Sequence, residues 1–276
     1  MQQGSIESPL DIERLRAELS ECAVGHTIEY YRSIESTMAP AHALAEQAGV
    51  RSGALVLADE QTAGRGRLHR QWDAPFGRAL LLSVALRAEQ IANAPVLPMI
   101  AGLAVLHALE RVGLPSAGFG LKWPNDVVCG ERAGRQRKIG GILVESALSG
   151  GSFSHAVIGI GLNVNQQPDE LPHVELPAPQ PASLLMESGS PVDRTLLLLE
   201  LCRAIADQLA ASPSSLAAEW RERLWTLGRA VTVHQHDGSE FTGIAVSVTE
   251  NGSLIVENAE GVRTVDAGDV SLQPLR

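Results

Sequence analysis

The sequence predicts an α+β main domain, a mixed sheet with helices packed on it, followed by a small β-barrel. Three observations predict it. Short apolar runs and helical runs are mixed as far as Leu227 without strict strand–helix–strand alternation, which disfavours a doubly wound sheet. From Val231 onward, short strands are punctuated by Asp237-Gly238, Asn251-Gly252 and Glu260-Gly261 at hairpin spacing. The chain has 276 residues and is 45% hydrophobic, enough for one large core and one small one. The expected division is an N-terminal extension with one helix over 1–29, a main domain over 30–227 and the small barrel over 228–276.

Taken in order, Ser8-Pro9 followed by Asp11 reads as a helix start, with Ser8 as cap, and Leu10, Ile12, Leu15 and Leu19 form its apolar face. Residues 27–34 read as a strand. Ser36 or Thr37 caps an Ala-rich helix over 39–48. Residues 54–58 and 79–86 are apolar strands, and 95–112 has helical periodicity through Leu97, Ile100, Leu103, Ala104, Leu106 and Leu109. Strand segments at 118–123 and 127–129 flank the Pro124-Asn125-Asp126 turn. A basic connection over 131–138 leads to an antiparallel pair, 139–148 and 153–162. The Pro-rich stretch 165–181 is a surface loop. Asp193 caps a Leu-faced helix over 194–209, and a second helix over 214–227 holds Trp220 and Trp225. The barrel strands are 231–235, 241–248, 253–257 and 262–265.

The net charge is −10. Against that background, Arg65, Arg67 and Arg70 form a basic island on a loop with Gly64 and Gly66. Guanidinium forks match phosphate and carboxylate oxygens, so a small anionic ligand is favoured over a nucleic-acid surface. The glycines are expected to allow close approach and positive φ. The three cysteines are scattered and odd in number, which points to a reducing, cytoplasmic setting and no disulfide framework. The polar N-terminus is not a signal peptide. The apolar stretch 95–109 is broken by Pro98, Gly102 and His107, so no membrane span is expected. No zinc-site spacing, Walker motif or nucleophile elbow occurs. Gly159-Ile160-Gly161 lacks the third glycine and the following helix of a dinucleotide site. Lys122 lies in an apolar segment, costly unless paired or used, with Asp126 as the simple ion-pair partner.

Four stretches occur together: Gly64 to Arg70, Lys122-Trp123-Pro124-Asn125-Asp126, Lys138-Ile139-Gly140-Gly141-Ile142-Leu143-Val144-Glu145, and Gly159-Ile160-Gly161-Leu162-Asn163-Val164-Asn165. In this order and spacing the chain resembles the biotin–protein ligases over residues 30–276. The resemblance implies a class II synthetase-like catalytic domain with a C-terminal SH3-like barrel. It implies ATP-dependent formation of biotinyl-5′-AMP, then transfer to a lysine of the biotin carboxyl carrier protein of acetyl-CoA carboxylase, with Mg²⁺ on the leaving pyrophosphate. It assigns catalysis to Lys122, Arg67 and Asp126. Biotin contacts fall to Ser36, Thr37, Gln61, Gly64, Arg65, Gly66, Arg67, Lys138, Gly141 and Gly159. Gly140 and Gly161 are expected in the floor of the same pocket. Adenylate contacts fall to Arg65, Arg67, Arg70, Trp72, Lys122, Asn125, Lys138 and Asn163. No residue is assigned to a protein-held metal.

Two positions depart from the family pattern: Met38 stands for the usual Asn and takes no role, and His69 for the third loop glycine. No DNA-binding module is expected in the 29 residues before the first matched strand. No membrane partner is expected, and a homodimer is left open. The alternatives are a lipoate– or octanoate–protein ligase and a non-catalytic biotin-binding regulator.

Overall fold

The computed structural model describes residues 9–91, 94–132, 134–175, 178–235, 237–266 and 268–272. Helix α1 (Ile12–Leu19) starts at Asp11, whose carboxylate accepts from the backbone N–H of Arg14. The expected cap, Ser8, lies outside the described residues. The main domain then runs β1 (Ile28–Tyr31), α2 (Met38–Glu46), β2 (Ala54–Ala58), β3 (Ala79–Arg87), α3 (Leu97–Arg111), β4 (Phe119–Lys122), β5 (Asp126–Gly130), β6 (Gln136–Ser149) and β7 (Ser152–Asn163). It closes with β8 (Gln180–Pro181), α4 (Leu184–Ser188), α5 (Arg194–Ala210) and α6 (Pro213–Arg223). The barrel holds β9 (Ala230–His234), β10 (Glu240–Val248), β11 (Leu254–Asn258), β12 (Gly261–Val265) and β13 (Asp269–Leu272).

The main sheet has the order β1-β2-β3-β7-β6-β5-β4, with β8 added on β6. β1 pairs with β2 in parallel and the other path neighbours are antiparallel, so the sheet is mixed as expected. One face carries Leu55, Leu57, Leu80, Leu82, Ile158, Ile160 and Leu162, buried together with α3 and α5. The other face carries Ala54, Val56, Ala85 and Val157 under α2. Period-two alternation thus supplies two unequal apolar layers, and the larger one takes the longest helices.

Several expectations change. Residues 94–111 are long and apolar enough to cross a membrane by length and composition, so the interruptions do not act as expected; 67% of the stretch is buried in this fold. Gly102 serves close packing there, since a Cβ would lie 2.9 Å from the Trp220 ring. Helix α6 ends at Arg223, and Trp225 lies beyond it, its N–H donating to the Leu121 carbonyl at 2.7 Å. The basic connection is shorter than expected because β6 already begins at Gln136. The barrel is a five-stranded antiparallel sheet, β12-β11-β10-β9-β13. Its last strand was not anticipated, being four residues without enough alternation to stand out. Trp123 ties barrel to main domain: its indole N–H donates to the Gly252 carbonyl at 2.9 Å and its backbone N–H to Thr226 Oγ1 at 2.9 Å.

Candidate active site

The α2 face of the sheet is only half covered. Val157 of β7 lies under α2, but the next residues on that face are Gly159 and Gly161, with Gly141 of β6 directly opposite Gly161. Without side chains there the sheet recedes, leaving a cavity of about 880 Å³. The loop after β2, the β4–β5 turn, the Pro-rich segment near 172–181 and the barrel residues around Asp269 complete its walls. Gly140 points the other way, its missing Cβ facing Leu162 and Val127, so it serves core packing and not the floor.

The arginine loop is pinned at its base. Arg194, at the start of α5, donates to Asp59 Oδ1 at 3.1 Å and to the Ala79 carbonyl at 3.0 Å, while Tyr30 donates to Asp59 Oδ2 at 2.5 Å. The Gly77 N–H reaches the Asp59 carbonyl at 3.0 Å, closing the loop on itself. Between these ends the chain folds as a narrow hairpin, with Trp72 N–H on the Gly64 carbonyl and Gly66 N–H on the Arg70 carbonyl. A Cβ at Gly64 would sit 2.3 Å from the Trp72 carbonyl oxygen, so close strand approach is why glycine stands there. Gly64 does not line the cavity, against its expected ligand contact, whereas Gly66 does. Neither glycine has positive φ. The left-handed residue is Leu68, at φ 55°. The side chain of His69 lies outside the described residues.

The hairpin lays Trp72 across the glycine floor. Cβ atoms at Gly161 and Gly141 would approach its ring to 2.5 and 3.1 Å. Lys138 Nζ stands 5.6 Å from the ring centroid, a cation–π distance. Gly159 is covered by Met38, whose Sδ would be 2.7 Å from a Cβ. The floor therefore combines an indole and a thioether with the glycines they lie against. Asn163 lines the cavity, but its amide donates to the Ala182 carbonyl at 3.0 Å and accepts from Gln166 at 2.9 Å. These bonds fix the amide while leaving one N–H and one lone pair of the cavity-lining side chain unused.

One end of the cavity is charged. Lys122 and Lys138 both pair with Asp126, at 3.7 and 2.6 Å. Burial pushes the Lys122 ammonium below its usual pKa, and Asp126 pulls it back. Burial alone would raise the Asp126 carboxyl, but Lys138 and Lys122 outweigh it and hold it below the usual range. Arg67 donates to Asn125 Oδ1 at 3.3 Å and to the Gly268 carbonyl at 3.0 Å, with Asp269 at 3.7 Å. Arg70 also pairs with Asp269. Four cations thus converge with two carboxylates, leaving this end net positive. Arg65 stands apart: its guanidinium pairs with Glu145 at the rim, at 3.5 Å.

The inner end is polar but neutral. Gln61 Oε1 accepts from the Thr37 N–H at 2.8 Å and from its hydroxyl at 3.0 Å, and Thr37 Oγ1 lies 2.7 Å from Ser83 Oγ. Ser36 accepts from the Met38 N–H at 3.3 Å, so of the two proposed caps it is Ser36 that bonds the start of α2.

Sequence reasoning missed Ser83, Met38 and Asp269 as cavity residues. A lone hydroxyl within Leu80-Leu81-Leu82-Ser83-Val84 was a legible signal for the first. Asp269 had none, because its contact is made across about 200 residues of chain. Among the described residues no group of three or more His, Cys, Asp or Glu could hold a metal ion.

The Biotin/lipoate A/B protein ligase family profile matches residues 30–163, and the biotin protein ligase C-terminal domain profile matches 226–273. The biotin–[acetyl-CoA-carboxylase] ligase of Mycobacterium tuberculosis is 34% identical, covering 96% of this chain and 96% of its own. The chain belongs to this family. Its relatives include the biotin–[acetyl-CoA-carboxylase] ligase of Paracoccus denitrificans, 34% identical over 86% of this chain and 96% of its own. The biotin protein ligase of Aquifex aeolicus, solved in complex with biotin and ATP, superposes with a TM-score of 0.71 at 28% identity, over 90% of this chain and 98% of that one. The family's mixed sheet and SH3-like barrel are the two sheets described above.

Proposed function

We propose that this chain activates biotin with ATP and transfers it to the carboxyl carrier protein of acetyl-CoA carboxylase. The observation that carries the reading is the cavity's polarity, a neutral hydrogen-bonding inner end, an indole and thioether floor, and a net positive outer end. A ligand with a polar head, an apolar middle and an anionic tail fits that gradient, as a biotin carboxylate joined to a nucleotide phosphate does.

In the first step a biotin carboxylate oxygen bonds to the α-phosphorus of ATP, and the bond to the β-phosphate oxygen breaks, releasing pyrophosphate. Both reactants are anions, so Lys122, Lys138, Arg67 and Arg70 act by reducing repulsion and holding the developing charge. Thr37, Gln61 and Ser36 serve the ureido head. Trp72 offers its outer face to the adenine ring, and Asn125 keeps Arg67 in place. The adenylate is a reactive anhydride, and the arginine hairpin excludes water from it. In the second step a carrier lysine amine attacks the acyl carbon, forming an amide and releasing AMP.

The residues here do not form a cage for Mg²⁺, because both oxygens of Asp126 are on lysines. The ion arrives on the triphosphate, and no protein-held ion takes part in the steps above. The three free cysteines suit the reducing cytoplasm, where we place the protein.

The test is pyrophosphate release. Biotin with ATP is expected to release pyrophosphate and, when a carrier domain is added, to label it. Release with lipoate and ATP but not with biotin sinks the reading. Biotin binding without any pyrophosphate makes the protein a regulator instead.

A further inference from the structure

We propose that Met38 is a specificity-determining residue, the surface on which the sulfur-bearing ring of biotin rests. The proposal rests on the functional reading above and concerns which residue sets the shape of its inner end.

Met38 is the first residue of α2 and only 3% exposed. Its thioether does not point into the α2 layer alone. It lies over Gly159, where an added Cβ would stand 2.7 Å from Sδ, and Sδ is 3.4 Å from Ser83 Oγ. Ser83 and Met38 both line the cavity at that point. A side chain at Gly159 would displace the thioether, and a ligand in the cavity has Met38 beside Gly159 as its wall.

The surroundings fix which part of the ligand that is. Thr37, Gln61 and Ser83 gather on one side as hydrogen-bonding groups and suit the ureido ring. Leu143, paired with Gly159 on the same face of the sheet, lines the cavity with Met38 and offers only apolar contact. The sulfur-bearing ring carries no hydrogen-bonding head and belongs on the apolar side. A thioether is soft, polarisable and unbranched, and packs closely against such a ring.

The test uses Met38→Ala and Met38→Leu, with biotin and desthiobiotin as probes; desthiobiotin keeps the ureido ring and lacks the sulfur ring. Met38→Ala is expected to raise the KM for biotin about tenfold, the loss of roughly one buried apolar contact. The kcat at saturating biotin and the KM for ATP stay within about threefold of the parent, since neither depends on the ring contact. Met38→Leu, close in volume but branched and without sulfur, recovers only part of the biotin KM lost in Met38→Ala. The decisive readout is selectivity. The preference for biotin over desthiobiotin falls about tenfold in Met38→Ala, because only biotin loses a partner. A residue that merely supports the fold would weaken both probes alike. If Met38→Ala does not fold, Met38→Val is measured in its place. An unchanged preference in a folded variant overturns the assignment of Met38 and leaves the ligase reading standing. A parent protein that binds no biotin sinks the ligase reading itself.

Discussion

Asp126 holds two lysines at once, and this arrangement explains how a buried ammonium persists beside an apolar strand. Each charge alone would be expensive to bury, and the triad satisfies them together. Lys122→Ala leaves Asp126 its shorter contact, to Lys138, so the fold should survive. Pyrophosphate release should fall about 100-fold or more, the usual loss when a charge acting on the transition state is removed. A folded variant with near-parental release takes Lys122 out of the mechanism. Arg67 is different, because it bridges the hairpin to Asn125 and to the barrel. Arg67→Gly opens the hairpin while Lys122 and Lys138 remain for the first step. The adenylate then escapes and acylates exposed lysines. Labelling of a bystander protein by the variant, and not by the parent, is the expected outcome on a biotin blot. Labelling confined to the carrier at parental rate removes Arg67 as the clamp.

At the scale of elements, the hairpin and the two central strands are fitted to each other. Gly141 and Gly161 face one another across β6 and β7, and Trp72 occupies the space their side chains would take. A methyl group at Gly161 would sit 2.5 Å from the indole, so the ring must move, and the hairpin with it. Gly161→Ala should therefore slow adenylate formation about tenfold or more. The cost to stability is about 1–2 kcal/mol, a few degrees in melting temperature. Tryptophan emission should shift as the indole leaves its position. Parental activity with unchanged emission disproves the fit. The base of the hairpin is built to resist such motion, since Arg194 holds Asp59 and the Ala79 carbonyl in a buried cluster.

At the scale of the whole molecule, the barrel takes part in the site. Asp269, at the start of β13, meets Arg67 and Arg70, and the neighbouring Gly268 carbonyl accepts from Arg67. The hairpin carries few apolar anchors of its own, so these contacts hold it over the cavity. Asp269→Ala should raise amide exchange across residues 64–70 about tenfold, a shift near 1.4 kcal/mol in local opening. Biotin affinity, set at the far end, should stay within about threefold. Unchanged exchange in the variant means that the hairpin closes without the barrel.

Much of this protein was already legible in the chain. The apolar run Ala54–Ala58 is the observed β2 residue for residue, and Asp193 caps α5 through bonds to Thr195 and Leu196 as expected. Such features are local, because strand periodicity, caps and turn glycines act within a few residues. The cations of the site were legible for the same reason, since charge in a short Gly-rich or apolar stretch stands out from its neighbours. Tertiary structure decided what those residues face. Gly141 and Gly161 lie under Trp72, Gly159 lies under Met38, and Gly140 faces the core, although all four were read alike from sequence. Asn163 is held by Ala182 and Gln166 at the cavity wall, and Asp269 reaches the arginines from the far end of the chain. Orientation and long-range partners are set when separately formed elements pack, so the sequence named the chemistry of the site and packing assigned the contacts.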